Sequence, residues 1–146
     1  MKNTNFIIQF FLIAFIGICV GCTKEKPSIS ENNINRTKSE FHGKWNLVQI
    51  FGGIVGANEQ YALGDVTWLF GANDLIVENN GSSSVYYSLP TGTYQYDVIQ
   101  ANGNTYLSID QSELGEFVIV GDTMNIDENS QSFGVGACGF YMKLQR

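Results

Sequence analysis

The chain has 146 residues, carries 8 Lys+Arg against 14 Asp+Glu for a net charge of −6, and is 44% hydrophobic and 13% aromatic. This is one domain's worth of chain, which excludes a large α/β enzyme or a multidomain assembly, and it is too apolar to stay disordered. The negative balance excludes nucleic acid as a partner, because phosphate binding needs a positive field. In chain order, the first predicted segment is a targeting sequence. Lys2 supplies a short positive region, and Phe6–Val20 is an almost unbroken apolar run of about fifteen residues. A comfortable membrane span needs about twenty residues, so the run reads as the h-region of a signal peptide over residues 1–21.

That run ends in Cys19-Val20-Gly21-Cys22, which resembles the lipobox of bacterial lipoprotein signal peptides. The resemblance implies cleavage after Gly21 and lipidation of Cys22, whose acyl chains would make a stable anchor to the membrane. The alternative is an uncleaved N-terminal anchor, and in both cases the rest of the chain is exported and tethered. Cys19 then leaves with the signal, Cys22 carries lipid, and Cys138 has no partner, so no disulfide framework is expected. Cys138 itself is expected to be a small buried hydrophobe.

Residues 22–40 hold the lipidated Cys and a polar stretch of mixed charge, TKEKPSISENNINRTKSE, that reads as a flexible tether. Lys24-Glu25 resembles part of the surface-export signal of some Bacteroidota lipoproteins. The expected location is therefore the outer membrane, facing either the periplasm or the outside.

From residue 41 to 146 the dominant period is two. Trp45, Leu47 and Gln49 alternate with Asn46, Val48 and Ile50; Val66, Trp68 and Phe70 form the next stripe; Tyr94, Tyr96 and Val98 alternate with Thr93, Gln95 and Asp97. Such β-branched and aromatic alternation marks half-buried strands. Turn signals such as Asn79-Asn80-Gly81, Asn102-Gly103 and Gly121-Asp122 lie between about nine runs of this kind. The connections are short and no helical period appears, so the fold class is all-β, a small antiparallel up-and-down barrel of about 8–9 strands. The one long connection, Gly52–Gly64, contains Ile54, Val55, Tyr61 and Leu63. It is expected either to fold back as a lid over one end of the barrel or to bury its apolar residues as a plug, with plain packing the favoured reading. With Lys44, Lys143 and Arg146 against eleven acids, residues 41–146 carry a net charge of −8.

Gly43-Lys44-Trp45 looks like the Gly-x-Trp opening of lipocalins. Through Val66-Thr67-Trp68-Leu69-Phe70 and Gly92-Thr93-Tyr94 to Tyr141-Met142-Lys143-Leu144-Gln145-Arg146, the segment is similar to lipocalin-like lipoproteins of Bacteroidota. The resemblance implies a calyx in which Trp45 plugs the closed end and a basic residue of the last strand lies across its indole. Arg146 is the candidate for that residue, with Lys143 as the alternative. The mid-chain Thr-Asp-Tyr motif of typical lipocalins is absent. A barrel this small leans toward a filled or shallow interior.

Catalytic constellations are hard to assemble. A nucleophile needs a base within reach, and the only histidine is His42. Zinc needs three or four ligands, and the oxygens of Asp122–Asn129 alternate with Met124 and Ile126 as a strand would. No metal, cofactor or catalysis is expected. The aromatics that remain suit a small apolar or amphiphilic ligand, with Trp68, Tyr87, Tyr94 and Tyr96 as candidate liners. The rival expectation is a filled barrel that binds a protein or glycan through its surface; a small hydrolase ranks third.

Overall fold

The computed structural model describes residues 39–80 and 88–146. One helical turn at 39–41 leads into β1 (Gly43–Gly52), β2 (Ala57–Gln60), β3 (Val66–Phe70), β4 (Asp74–Asn79), β5 (Gly92–Ala101) and β6 (Asn104–Ile109). These are followed by β7 (Ser112–Val120), β8 (Thr123–Asp127), β9 (Ser130–Gln131), β10 (Gly134–Val135) and β11 (Phe140–Gln145). Strands β1, β3, β4, β5, β6, β7, β8 and β11 pair antiparallel in that order, and β11 returns to β1, which closes an eight-stranded barrel. Strand β2 adds a ninth member beside β1, and β9 and β10 form a separate hairpin. The all-β, lipocalin-like up-and-down barrel read from the alternation is the architecture observed.

Closure depends on a bulge. Leu47 faces Leu144 and Gln49 faces Lys143, so Val48 is an extra residue in β1. One extra residue reverses which side chains point inward beyond it. Trp45 and Leu47 are buried before the bulge, but Ile50, not Gln49, is buried after it. Strict alternation therefore misplaces Gln49, and it is the bulge that turns Phe51 outward. The same bend lets β1 change partners along one edge. Gly43–Asn46 pair with β3, whereas Gln49–Gly52 pair with β2. The Val48 carbonyl accepts the Tyr61 N–H at 3.0 Å where the two partners meet.

The connection Gly52–Gly64 is not a buried plug. Gly53 and Gly56 adopt φ of +70° and +66° and close a tight turn, with the Gly56 N–H donating to the Gly53 carbonyl at 3.1 Å. Strand β2 then returns along β1. A turn has no sheet face beneath it, so Ile54 and Val55 at the tip are 86% and 74% exposed. Tyr61 alone of the four apolar residues packs against the core.

The inward faces of all eight barrel strands meet in one hydrophobic cluster, in which Trp45, Leu47, Val66, Trp68, Leu75, Met124 and Leu144 are fully buried. Phe41, from the helical turn, caps the cluster. Its ring meets Phe70, Tyr96 and Phe117 edge-on at centroid distances of 5.1, 5.7 and 5.3 Å, the arrangement aromatic quadrupoles favour.

Candidate functional site

The sequence-predicted residues divide between one end of the barrel, the core and its margin. At the end of the barrel capped by Phe41, Trp45 is buried and its Nε1–H donates to the Phe41 carbonyl at 2.7 Å. The Arg146 guanidinium carbon stands 4.5 Å from the Trp45 ring centroid. Lys143 pairs with Asn125 and Gln49, between the buried Met142 and Leu144, and so belongs to the outer face. Cys22 and Tyr87 lie outside the described residues.

Trp68 and Tyr96 both belong to the packed core. They share Phe70 as a neighbour, at ring-centroid distances of 6.1 and 5.3 Å. The Tyr96 hydroxyl donates to the Gly71 carbonyl at 2.6 Å and lies 3.2 Å from His42 Nε2. Burial pushes its pKa up to about 12, with the charges of Asp74 and Asp97 adding to the rise. Tyr94 is half-buried at the edge of the core, and its hydroxyl donates to the Pro90 carbonyl at 2.8 Å. These three side chains are thus wall and filling, each held by its neighbours. Among the described residues, none accepts the buried Trp68 Nε1–H.

An apolar recess lies on the outside. A groove of about 270 Å³ crosses β1, β11, β8 and β7, lined chiefly by Phe51, Tyr141, Val118, Asn125, Asp127 and Glu116. Its geometry follows from register. Phe51 faces Tyr141, Tyr141 faces Asp127, and Asp127 faces Glu116, so one outward row runs across four strands. Val118 faces Asn125 one row below. The Phe51 and Tyr141 rings stack at 5.1 Å with planes 9° apart, and both remain about two-fifths exposed. Short polar side chains on β8 form the floor between an aromatic wall and Val118. Sequence reasoning missed this pair. Tyr141 could have been found from its alternation with Met142 and Leu144, but Phe51 could not without the bulge.

The carboxylates near the groove are held in place. Glu116 Oε2 accepts the Ser130 hydroxyl at 2.6 Å, and Asp127 Oδ1 accepts the Asn129 N–H at 2.8 Å. Glu128 Oε2 accepts the Phe140 N–H at 3.0 Å. Burial pushes the Glu128 carboxyl above its ordinary range and the Asp127 charge adds to this, while the Phe140 amide works against it. Such groups can accept hydrogen bonds from hydroxyl or amine donors. Among the described residues, no cluster of three or more His, Cys, Asp or Glu is arranged to hold a metal ion.

Cys138 is exposed, contrary to the expectation of a buried thiol. Its backbone is left-handed (φ +70°) in the tight loop before Gly139, so it has no strand register to aim it inward. Comparison with protein-family models, curated proteins and solved structures finds no match to the chain.

Proposed function

We propose that this chain is a non-catalytic binding module, a lipocalin-like barrel tethered to the bacterial outer membrane through lipid on Cys22, that takes its ligand on the outer groove. The observation that carries the reading is the contrast between a barrel filled by its own side chains and an aromatic pair left exposed outside it. Buried apolar ring surface would supply affinity, and Asn125, Asp127 and Glu116 would orient donors on the ligand. The ligand class is therefore a small amphiphile with one flat apolar face and hydroxyl or amine groups at its edge.

Thermal-shift and native mass-spectrometric measurements on the mature chain with a panel of phenyl and alkyl glycosides test this. Stabilisation by a panel member should disappear in Phe51→Ala and Tyr141→Ala. Binding that survives both substitutions but is lost in Trp68→Phe would place the ligand inside the barrel instead. That second reading draws on one observation, the buried Trp68 Nε1–H, which finds no acceptor among the described residues and which an internal guest could satisfy. Labelling with radioactive palmitate, lost in Cys22→Ala, tests the anchor.

A further inference from the structure

Inside the outer groove, two carboxylates meet head-on beside the aromatic wall. Asp127 on β8 stands opposite Glu116 on β7, and on its other side it stands opposite Tyr141. A second bulge puts Glu116 there. Leu107 faces Gly115 and Ser108 faces Glu113, so Leu114 is an extra residue in β7 and the side chains beyond it change face. Gly115 lets the strands approach closely, since a Cβ there would collide with the backbone of Asp127. Like charges directly opposite on neighbouring strands repel. The Ser130 hydroxyl donates to Glu116 Oε2, and Asn129 donates to Asp127 Oδ1 through its backbone and its side-chain amide. Among the described residues none donates to Glu116 Oε1 or Asp127 Oδ2. None of the described residues that line the groove is Lys or Arg. Lys143 belongs to the neighbouring row, where it faces Asn125.

We propose that the groove selects an organic cation, a small molecule with one flat apolar part and an ammonium group about 5–10 Å from it; this rests on the outer groove being the binding site. Neighbouring strands lie about 4.8 Å apart, so Asp127 is one strand spacing from Tyr141 and Glu116 is two. A ring laid against Phe51 and Tyr141 therefore sets an ammonium at that distance between the two carboxylates. There it is attracted by both, offsets their mutual repulsion and lies beside the π face of an exposed aromatic pair. A neutral hydroxyl gains a hydrogen bond but leaves the repulsion in place. A carboxylate or phosphate adds to it, in a domain that already carries −8. A divalent metal ion takes more ligands than this pair supplies, and the described residues hold no group of three or more His, Cys, Asp or Glu arranged for one.

The test is isothermal titration calorimetry of the full chain in nonionic detergent micelles at pH 7, against a protein-free titration into the same micelles. The probes are 3-phenylpropylamine, 3-phenylpropanol and 3-phenylpropanoate, which share a ring and differ in charge. The amine should bind about tenfold more tightly than the alcohol, the carboxylate should not bind, and added salt should narrow the difference. Glu116→Gln combined with Asp127→Asn should bring the amine down to the affinity of the alcohol, while both amide oxygens still accept the Ser130 and Asn129 donors. Glu78→Gln, which removes an exposed carboxylate from β4, should leave the preference unchanged. Equal binding of amine and alcohol, or no binding of the amine, would overturn the proposal. So would a preference that persists in the double variant, or one that Glu78→Gln removes equally, since net charge alone would then be its source. Glycoside stabilisation that depends on Phe51 and Tyr141 without any preference for the amine would overturn the cation and leave the groove as the binding site. Amine binding that survives Phe51→Ala and Tyr141→Ala would overturn both.

Discussion

Arg146, at the end of the last barrel strand, lies with its guanidinium carbon 4.5 Å from the ring centroid of Trp45, near the start of the first. The contact joins positions 101 residues apart in sequence across the end of the barrel capped by Phe41. Arg146 is held from two further directions, by Asp122 at 3.6 Å and by the Glu40 carbonyl at 3.4 Å. The side chain is 38% exposed, so the ion pair with Asp122 contributes little and the ring contact dominates. Arg146→Ala should lower stability by about 1 kcal/mol. Arg146→Lys should recover only part of that, because an ammonium cannot lie flat on the indole. Urea denaturation followed by tryptophan fluorescence reads both, and an unchanged midpoint in Arg146→Ala would show that the contact carries no weight.

Closure of this end rests on Phe41 as well as on Trp45. Phe41 belongs to no strand, yet its ring touches three other aromatics and its carbonyl accepts the indole N–H. Phe41→Ala should cost about 3–5 kcal/mol, the range for removing a large buried aromatic. Trp45→Ala should fall in the same range. A loss below about 1 kcal/mol for either in equilibrium denaturation would contradict its role as a plug.

The bulge at Leu114-Gly115 makes a backbone prediction. Gly115→Ala must relieve both a positive φ and a clash with the Asp127 backbone. Strain of this kind costs about 1–3 kcal/mol before any rearrangement. Gly103, in the hairpin turn between β5 and β6, also has a positive φ, but a Cβ there would point into open space. Gly103→Ala should therefore cost less than Gly115→Ala, and comparing their denaturation midpoints separates close approach from turn strain.

Two titrations have determined signs. Tyr96 is pushed up to about 12, so the folded state holds its phenolic proton more tightly than the unfolded chain does. The resulting stability is present below the ordinary tyrosine value of about 10 and is lost as pH rises from there through about 12. In a tyrosinate absorbance titration Tyr96→Phe should remove a step near pH 12. Glu128 is also raised, mainly by burial. Its stabilising contribution is present while it is protonated and is lost as pH rises above the ordinary glutamate value of about 4.3. Glu128→Gln should flatten that part of the stability profile, since a neutral amide oxygen can still accept the Phe140 N–H.

Much of the architecture was legible because strand alternation is a local signal. Tyr94, Tyr96 and Val98 do share the inner side of β5, with Thr93, Gln95 and Asp97 outside. The turns at Asn102-Gly103 and Gly121-Asp122 fall between paired strands. The candidate site was far less legible. Trp68 and Tyr96 read equally well as cavity liners or as core, since an inward aromatic looks the same in sequence whether the space before it is open or filled. Phe51 was overlooked and Cys138 misjudged for a related reason, because a one-residue bulge and a left-handed turn each redirect a side chain without changing its hydrophobicity.

By itself the sequence determined the all-β class, the antiparallel order of short strands and the acidity of the domain, because residue period, turn chemistry and charge are properties of adjacent residues. Only the tertiary structure decided that the interior is occupied, that Phe41 and Arg146 meet at Trp45, and that an aromatic groove faces outward. Those features depend on the registers of β1 with β11 and of β6 with β7, each offset by one bulged residue. Register is set by the packing of strands distant in sequence, which no local pattern encodes.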